Sequence, residues 1–190
     1  PLTLVRLGRL FDSGRGRESG LSKKEFLMEE KYIHVYCGSG NGKTSAALGQ
    51  AVKAACAGKS VFLIQFLKGR EAAAPDYLKR LEPEIKLFTF DKYERPFSEL
   101  DEQEKKEALI HVRNGLNFAR KVLSTGECDV LILDEILGFS KTEVIRKEDL
   151  IGLFEDMSEG MELVLTGDGN PKWLWPYVSE VTELVTDYKA

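Results

Sequence analysis

Gly38, Gly40 and Gly42, followed directly by Lys43 and Thr44, form the run CGSGNGKTS over residues 37–45. Glycines at alternate positions let the backbone turn its N–H groups inward around a polyanion. Lys43 adds a full positive charge, and the Thr44 hydroxyl can ligate Mg²⁺. Cys37 stands where the common pattern G-x-x-x-x-G-K-[ST] has its first glycine. A residue there ends the strand that enters the loop, so its side chain alters the entry geometry and removes no donor. The second chemical signal is Val130-Leu131-Ile132-Leu133-Asp134-Glu135. Four apolar residues ending in two acids predict a buried strand that delivers carboxylates to the carboxyl edge of a sheet. There one of them can hold Mg²⁺ directly or through water. Together, loop and strand end predict a site for a Mg²⁺–nucleoside triphosphate and leave the acceptor open.

Such a site needs a strand before the loop and a helix after it. Residues 32–36 are a β-rich run, and the alanine-rich residues 43–57 have helical character, stopped by Gly58. Further strands are expected at 61–66, 85–90, 130–133, 163–166 and 181–185. Helices are expected at 71–82, 98–125, 147–157 and 171–177, the longest starting near Ser98 and Asp101 and stopping at Gly126. Strands separated by helices, with no hairpin turns, predict an α/β fold: a mainly parallel sheet with helices on both faces.

The chain has 190 residues, enough for one compact domain with a sizeable core. A formal charge of −4 gives no bulk reason to expect nucleic acid as a partner. No apolar run reaches the ~20 residues of a membrane helix. Three cysteines, Cys37, Cys56 and Cys128, without a C-x-x-C pair, argue against a disulfide framework or a zinc site and fit a reducing, cytoplasmic setting. Residues 1–27 differ from the rest. Arg6, Arg9, Arg15, Arg17, Lys23 and Lys24 against Asp12, Glu18 and Glu25 leave a net +3. The segment is either a basic arm or a non-native extension ahead of Met28, with the main domain at 28–190.

Residues 42–47 (GKTSAA), 65–69 (QFLKG), 129–135 (DVLILDE), Leu165-Thr166-Gly167 with Pro171, and Val181-Thr182-Glu183 together resemble the P-loop corrinoid adenosyltransferases. The likeness spans about residues 32–188, and that family commonly has Thr where Cys37 stands. The resemblance implies a RecA-like P-loop NTPase fold and transfer of the 5′-deoxyadenosyl group of ATP to cobalt(I) of a corrinoid, with release of triphosphate. Cobalt(I) is itself the nucleophile, so no general base is needed. His34 in the first strand and His111 in the long helix are read as structural. The implied leaving-group site is Lys43, Thr44 and Glu135, with Asp134 as a further Mg²⁺ ligand. Gly38, Ser39, Gly40, Asn41, Gly42, Ser45 and Lys53 complete the nucleotide contacts. Three positions depart from the family pattern: Asp168 and Lys53 stand where it has Arg, and Asn41 where it often has Lys. Tyr188-Lys189 looks like the remnant of a Lys-His tail motif.

The family covers the lower face of the corrinoid with aromatic residues after the third strand. The matching region here is 88–97, in which Tyr93 and Phe97 flank turn residues and are the lid candidates. Phe88 and Phe90 continue the strand and are expected in the core. Trp173 and Trp175 are expected to pack a short helix on the sheet, and the charged stretch 99–107 to be a solvated helix face. The resemblance further implies a homodimer and a reductant such as a flavoprotein. Two other readings stay open: a different P-loop kinase or nucleoside-triphosphatase, and a non-catalytic paralogue that binds corrinoid or nucleotide.

Overall fold

The computed structural model describes residues 31–66, 80–90, 93, 97–141 and 144–187. Six strands form one sheet: β1 (Tyr32–Cys37), β2 (Val61–Gln65), β3 (Ile85–Thr89), β4 (Val130–Asp134), β5 (Glu162–Thr166) and β6 (Glu180–Glu183). Their order is β3-β2-β4-β5-β1-β6, and every pairing is parallel. Helices α1 (Lys43–Cys56), α2 (Glu102–Thr125) and α3 (Lys147–Asp156) cover its two faces.

Side chains of a strand point alternately to opposite faces, and the two cores follow that alternation. Val61 and Leu63 of β2 and Val130 and Ile132 of β4 meet Ala47, Ala51 and Ala54 of α1. Small residues repeating at helical spacing give α1 a flat face that lies close to the sheet. Phe62, Ile64, Leu131 and Leu133 point the other way and pack with Val112, Leu116 and Leu123 of α2 and Leu150 and Leu153 of α3. Phe88 and Phe90 pack on this second core. Phe88 lies 5.0 Å from the Phe62 ring and 4.8 Å from that of Phe118, in line with their expected core role.

The differences from expectation lie at element ends. The long helix begins at Glu102, after a separate short turn at Phe97–Glu99, because Asp101 caps it. Asp101 Oδ1 accepts from the Glu104 amide at 2.8 Å and Glu104 Oε2 accepts from the Asp101 amide at 2.9 Å, which fixes the start. Gly126 ends this helix at φ 64, as expected. The segment near 171–177 is a 3-10 turn, Lys172–Tyr177, which contains Pro176. Another such turn at Ile136–Lys141 was not foreseen. Only Trp173 of the tryptophan pair packs on the core; Trp175 is half exposed and donates its indole N–H to Asn170. Residues 1–27, 67–69, most of the helix expected at 71–82, and 188–190 lie outside the described residues.

Asp149 fastens α3 to α2. Its Oδ2 accepts from Arg113 Nη1 and from the Arg146 amide, each at 3.0 Å. Burial pushes its pKa up, but the bonds from Arg146 and Arg113 outweigh that and hold it down at about 2. A carboxyl with a depressed folded pKa contributes stability above its unfolded value, about pH 4, and loses it as the pH falls through about 2. Asp149→Asn is therefore expected to lower stability at neutral pH by on the order of 2 kcal/mol. In urea unfolding the difference from the wild type should shrink steadily on acidification below about pH 4; a pH-independent difference would mean that packing, not charge, is lost.

Candidate functional site

β1 ends on Cys37, which is wholly buried in the larger core. Burial, and then the Glu183 carboxylate, push its thiol pKa up, so Cys37 acts as a small apolar residue. Among the described residues the only non-glycine with positive φ is Glu135, so Cys37 needs no glycine backbone. Gly38 does: it has φ 107, and a Cβ there would fall 2.3 Å from the Leu184 carbonyl oxygen. That close approach arises because β6 stops at Glu183 and the chain then crosses the loop, where a strand to residue 185 was expected. The Leu184 amide donates to Cys37 O, and Leu184 O accepts from the Gly40 amide, both at 2.8 Å. The Asn41 amide reaches Thr186 Oγ1 at 3.4 Å. Ser39, Asn41, Gly42 and Ser45 stand at the surface.

Gly42, at φ 99, precedes the first residue of α1, which is Lys43. Lys43 is 7% exposed. Its Nζ donates to Gly38 O at 3.0 Å and Gly40 O at 2.8 Å, and it pairs with Asp168 Oδ1 at 2.9 Å. One residue on, Thr44 Oγ1 donates to Asp134 Oδ1 at 3.0 Å. Asp134 is wholly buried at the end of β4. Its Oδ1 also accepts from Thr166 Oγ1 at 2.7 Å, and its Oδ2 from Gln65 Nε2 at 3.3 Å. The ends of β2, β4 and β5 thus converge on one carboxylate beside the loop, at the carboxyl edge of the sheet. Glu135 follows, half-buried, at φ 65, its amide donating to Thr166 Oγ1 at 2.8 Å. A left-handed Glu is costly and persists only where its surroundings impose it; Thr166 holds both the acid before it and its own amide.

Gln65 and Thr166 carry no assigned role in the sequence reading. A signal was present: β2 (VFLIQ), β4 (VLILD) and β5 (ELVLT) each finish an apolar run on one polar residue. The structure does not bring Lys53 to this site. Lys53 lies in the last turn of α1, roughly 15 Å along the helix from Lys43 at about 1.5 Å per residue. There it lines a separate open cavity of about 490 Å³ with Tyr32, His34, Tyr36 and Glu180. His34 has the structural role expected of it. Its Nε2 is 2.9 Å from Thr182 Oγ1, its ring lies 4.1 Å from that of Tyr36, and burial lowers its pKa despite the nearby Glu180.

Tyr93 and Phe97 are both half-buried. The Tyr93 hydroxyl donates to Glu107 of α2 at 2.8 Å, which fastens Tyr93 to the helix. Among the described residues no group of three or more His, Cys, Asp or Glu could hold a metal, and no helix is long and apolar enough to cross a membrane. A hydroxyl and a carboxylate side by side suit Mg²⁺, which keeps several waters and takes further oxygens from phosphate.

The family model described as ATP:corrinoid adenosyltransferase BtuR/CobO/CobP matches residues 29–189. A corrinoid adenosyltransferase of Escherichia coli K12 is 28% identical over 163 residues, 82% of this chain and 77% of that protein. The corrinoid adenosyltransferase CobA of Salmonella typhimurium is 26% identical over 163 residues, with the same coverage of 82% and 77%. With a buried lysine in a glycine loop, a threonine–aspartate pair beside it, and a match over most of its length, the chain belongs to the ATP:corrinoid adenosyltransferase family.

Proposed function

We propose that the protein moves the 5′-deoxyadenosyl group of ATP onto the cobalt(I) of a corrinoid substrate. The cobalt electron pair forms the bond to C5′, the C5′–O5′ bond breaks, and its electrons leave with triphosphate. The observation that carries this reading is the pairing of a complete phosphate loop at Lys43 with the Thr44–Asp134 contact, in a chain of this family. Such a displacement needs a grasped and neutralised leaving group and no base. The described histidines accord with that: His34 is buried within β1, which lowers its pKa, and His111 is half-buried within α2.

Lys43 grips the triphosphate and takes up the charge that develops on it as the bond breaks; the Gly40 and Asn41 amides join it once Leu184 O and Thr186 Oγ1 release them. Thr44 and Asp134, with Glu135 next in the chain, are the residues that would hold Mg²⁺, which supplies charge neutralisation of the phosphates when bound. Gln65 and Thr166 fix the rotamer of Asp134 so that its charge faces Thr44. Tyr93 and Phe97 are the aromatic residues proposed to cover the corrinoid. A homodimer, a flavoprotein-type reductant that makes cobalt(I), and a cytoplasmic site of action complete the proposal.

A second reading, a nucleotide-binding paralogue without turnover, is favoured by the Asp168 carboxylate on Lys43. Incubation with ATP, Mg²⁺ and a corrinoid reduced to cobalt(I) without oxygen separates the two. The expected products are a light-sensitive cobalt–carbon bond and triphosphate in equal amounts. Release of ADP or phosphate with no adenosylated corrinoid would point to a kinase or nucleoside-triphosphatase, and binding without products to the paralogue.

A further inference from the structure

An ammonium has three N–H donors, and Gly38 O at 3.0 Å, Gly40 O at 2.8 Å and Asp168 Oδ1 at 2.9 Å account for three bonds from Lys43. For Lys43 to grasp a phosphate, one acceptor must withdraw. Two of them are backbone carbonyls of the loop itself. Asp168 is the anionic one, and its side chain is 76% exposed. It sits between Gly167 at φ 151 and Gly169 at φ 85. The backbone of this turn is fastened down: Gly169 O accepts from the Gly38 amide at 2.8 Å, and the Gly167 amide donates to Tyr36 O at 3.2 Å. A turn of the Asp168 side chain, with the backbone of its turn at rest, frees the ammonium, while Leu184 O and Thr186 Oγ1 hold the Gly40 and Asn41 amides separately.

We propose that Asp168 is an intramolecular competitor for the phosphate subsite. Its carboxylate holds Lys43 until a triphosphate takes its place, and so lowers the affinity of the site for every triphosphate, substrate and product alike. The consequence for turnover rests on the adenosyltransferase reading. Triphosphate released from C5′ retains the groups that the loop and Lys43 grip, so a loop without a competitor would keep its product and exclude the next ATP. A carboxylate tethered beside Lys43 is present at high effective concentration and recaptures the ammonium as the phosphate departs. The position where the family pattern has Arg thus becomes a residue that sets ligand affinity and product release.

Calorimetric binding of Mg²⁺–ATP and of inorganic triphosphate, with no corrinoid present, tests this on the wild type, Asp168→Asn and Asp168→Arg. Asp168→Asn should bind both ligands about fivefold more tightly, the size of a partly exposed ion pair, and Asp168→Arg more tightly still. Adenosine, which has no phosphate, should bind equally to all three. As the charge control, Glu183→Gln removes another acid near Gly38 that is not paired with Lys43 and should leave affinity within about twofold. In turnover, Asp168→Asn should show a lower inhibition constant for triphosphate, a change that a merely structural role would not produce. Equal or weaker triphosphate binding by Asp168→Asn overturns the proposal, as does an equal gain from Glu183→Gln, which would reduce the effect to general repulsion. Tighter binding by Asp168→Asn in a protein that forms no cobalt–carbon bond would uphold the competitor and remove the adenosyltransferase reading.

Discussion

Lys43→Ala should leave a folded protein whose rate of adenosyl transfer at limiting ATP has fallen by about 10²–10³-fold, the usual loss when one preorganised charge-stabilising donor is removed. Lys43 is nine-tenths buried, so no solvent-borne cation replaces it at the loop. The loss should appear in kcat as well as in KM, because negative charge grows on the triphosphate as the C5′–O5′ bond breaks. Stability should change little. The variant leaves the Gly38 and Gly40 carbonyls without their lysine but also relieves the desolvation of a buried ammonium. Single-turnover rates, ATP affinity and thermal unfolding together check this. A variant that turns over at near wild-type rate would make residues 37–45 a strand-to-helix turn and nothing more.

Asp134→Asn should cut activity by on the order of 10²-fold at ordinary Mg²⁺, with partial recovery at high Mg²⁺, as expected when a metal's charged partner becomes neutral. The fold should tolerate the change. With the Asn oxygen in the place of Oδ1 the Thr44 and Thr166 hydroxyls keep donating to it, and the Gln65 amide can turn to accept from the Asn NH2, so these contacts of Asp134 can be re-formed. Parallel measurement of Glu135→Gln assigns the metal. If Asp134→Asn keeps full activity and Glu135→Gln loses it, the carboxylate one residue beyond the strand carries the ion. If both lose activity but only Asp134→Asn shifts the Mg²⁺ requirement, Glu135 acts elsewhere in the site.

What the sequence determined by itself was local in range. The β1–loop–α1 unit was legible because three glycines, a lysine and a threonine act within one turn of chain. The parallel α/β class was legible because apolar runs alternate with helical periods over windows of ten to twenty residues. The acids at the end of β4 were legible for the same reason. Even the misplaced start of α2 was a matter of which of two cap residues won, and the reciprocal Asp101–Glu104 bonds decided it.

Only the tertiary structure decided which distant residues share the site. Strand order, here β3-β2-β4-β5-β1-β6, follows from how helices bury their apolar faces across the sheet, a free energy spread over many contacts and not written at any one position. That order puts β5 between β1 and β4 and so sets Thr166 against Asp134. It carries the turn at 167–169 to the loop, where Asp168 meets Lys43, and draws the chain after β6 over Gly38 and Gly40. The same geometry removes Lys53 from the loop, because a helix advances away from its own first turn. Charge at a sequence position states what a side chain can do; the crossing of chain segments far apart in sequence states to what it does it.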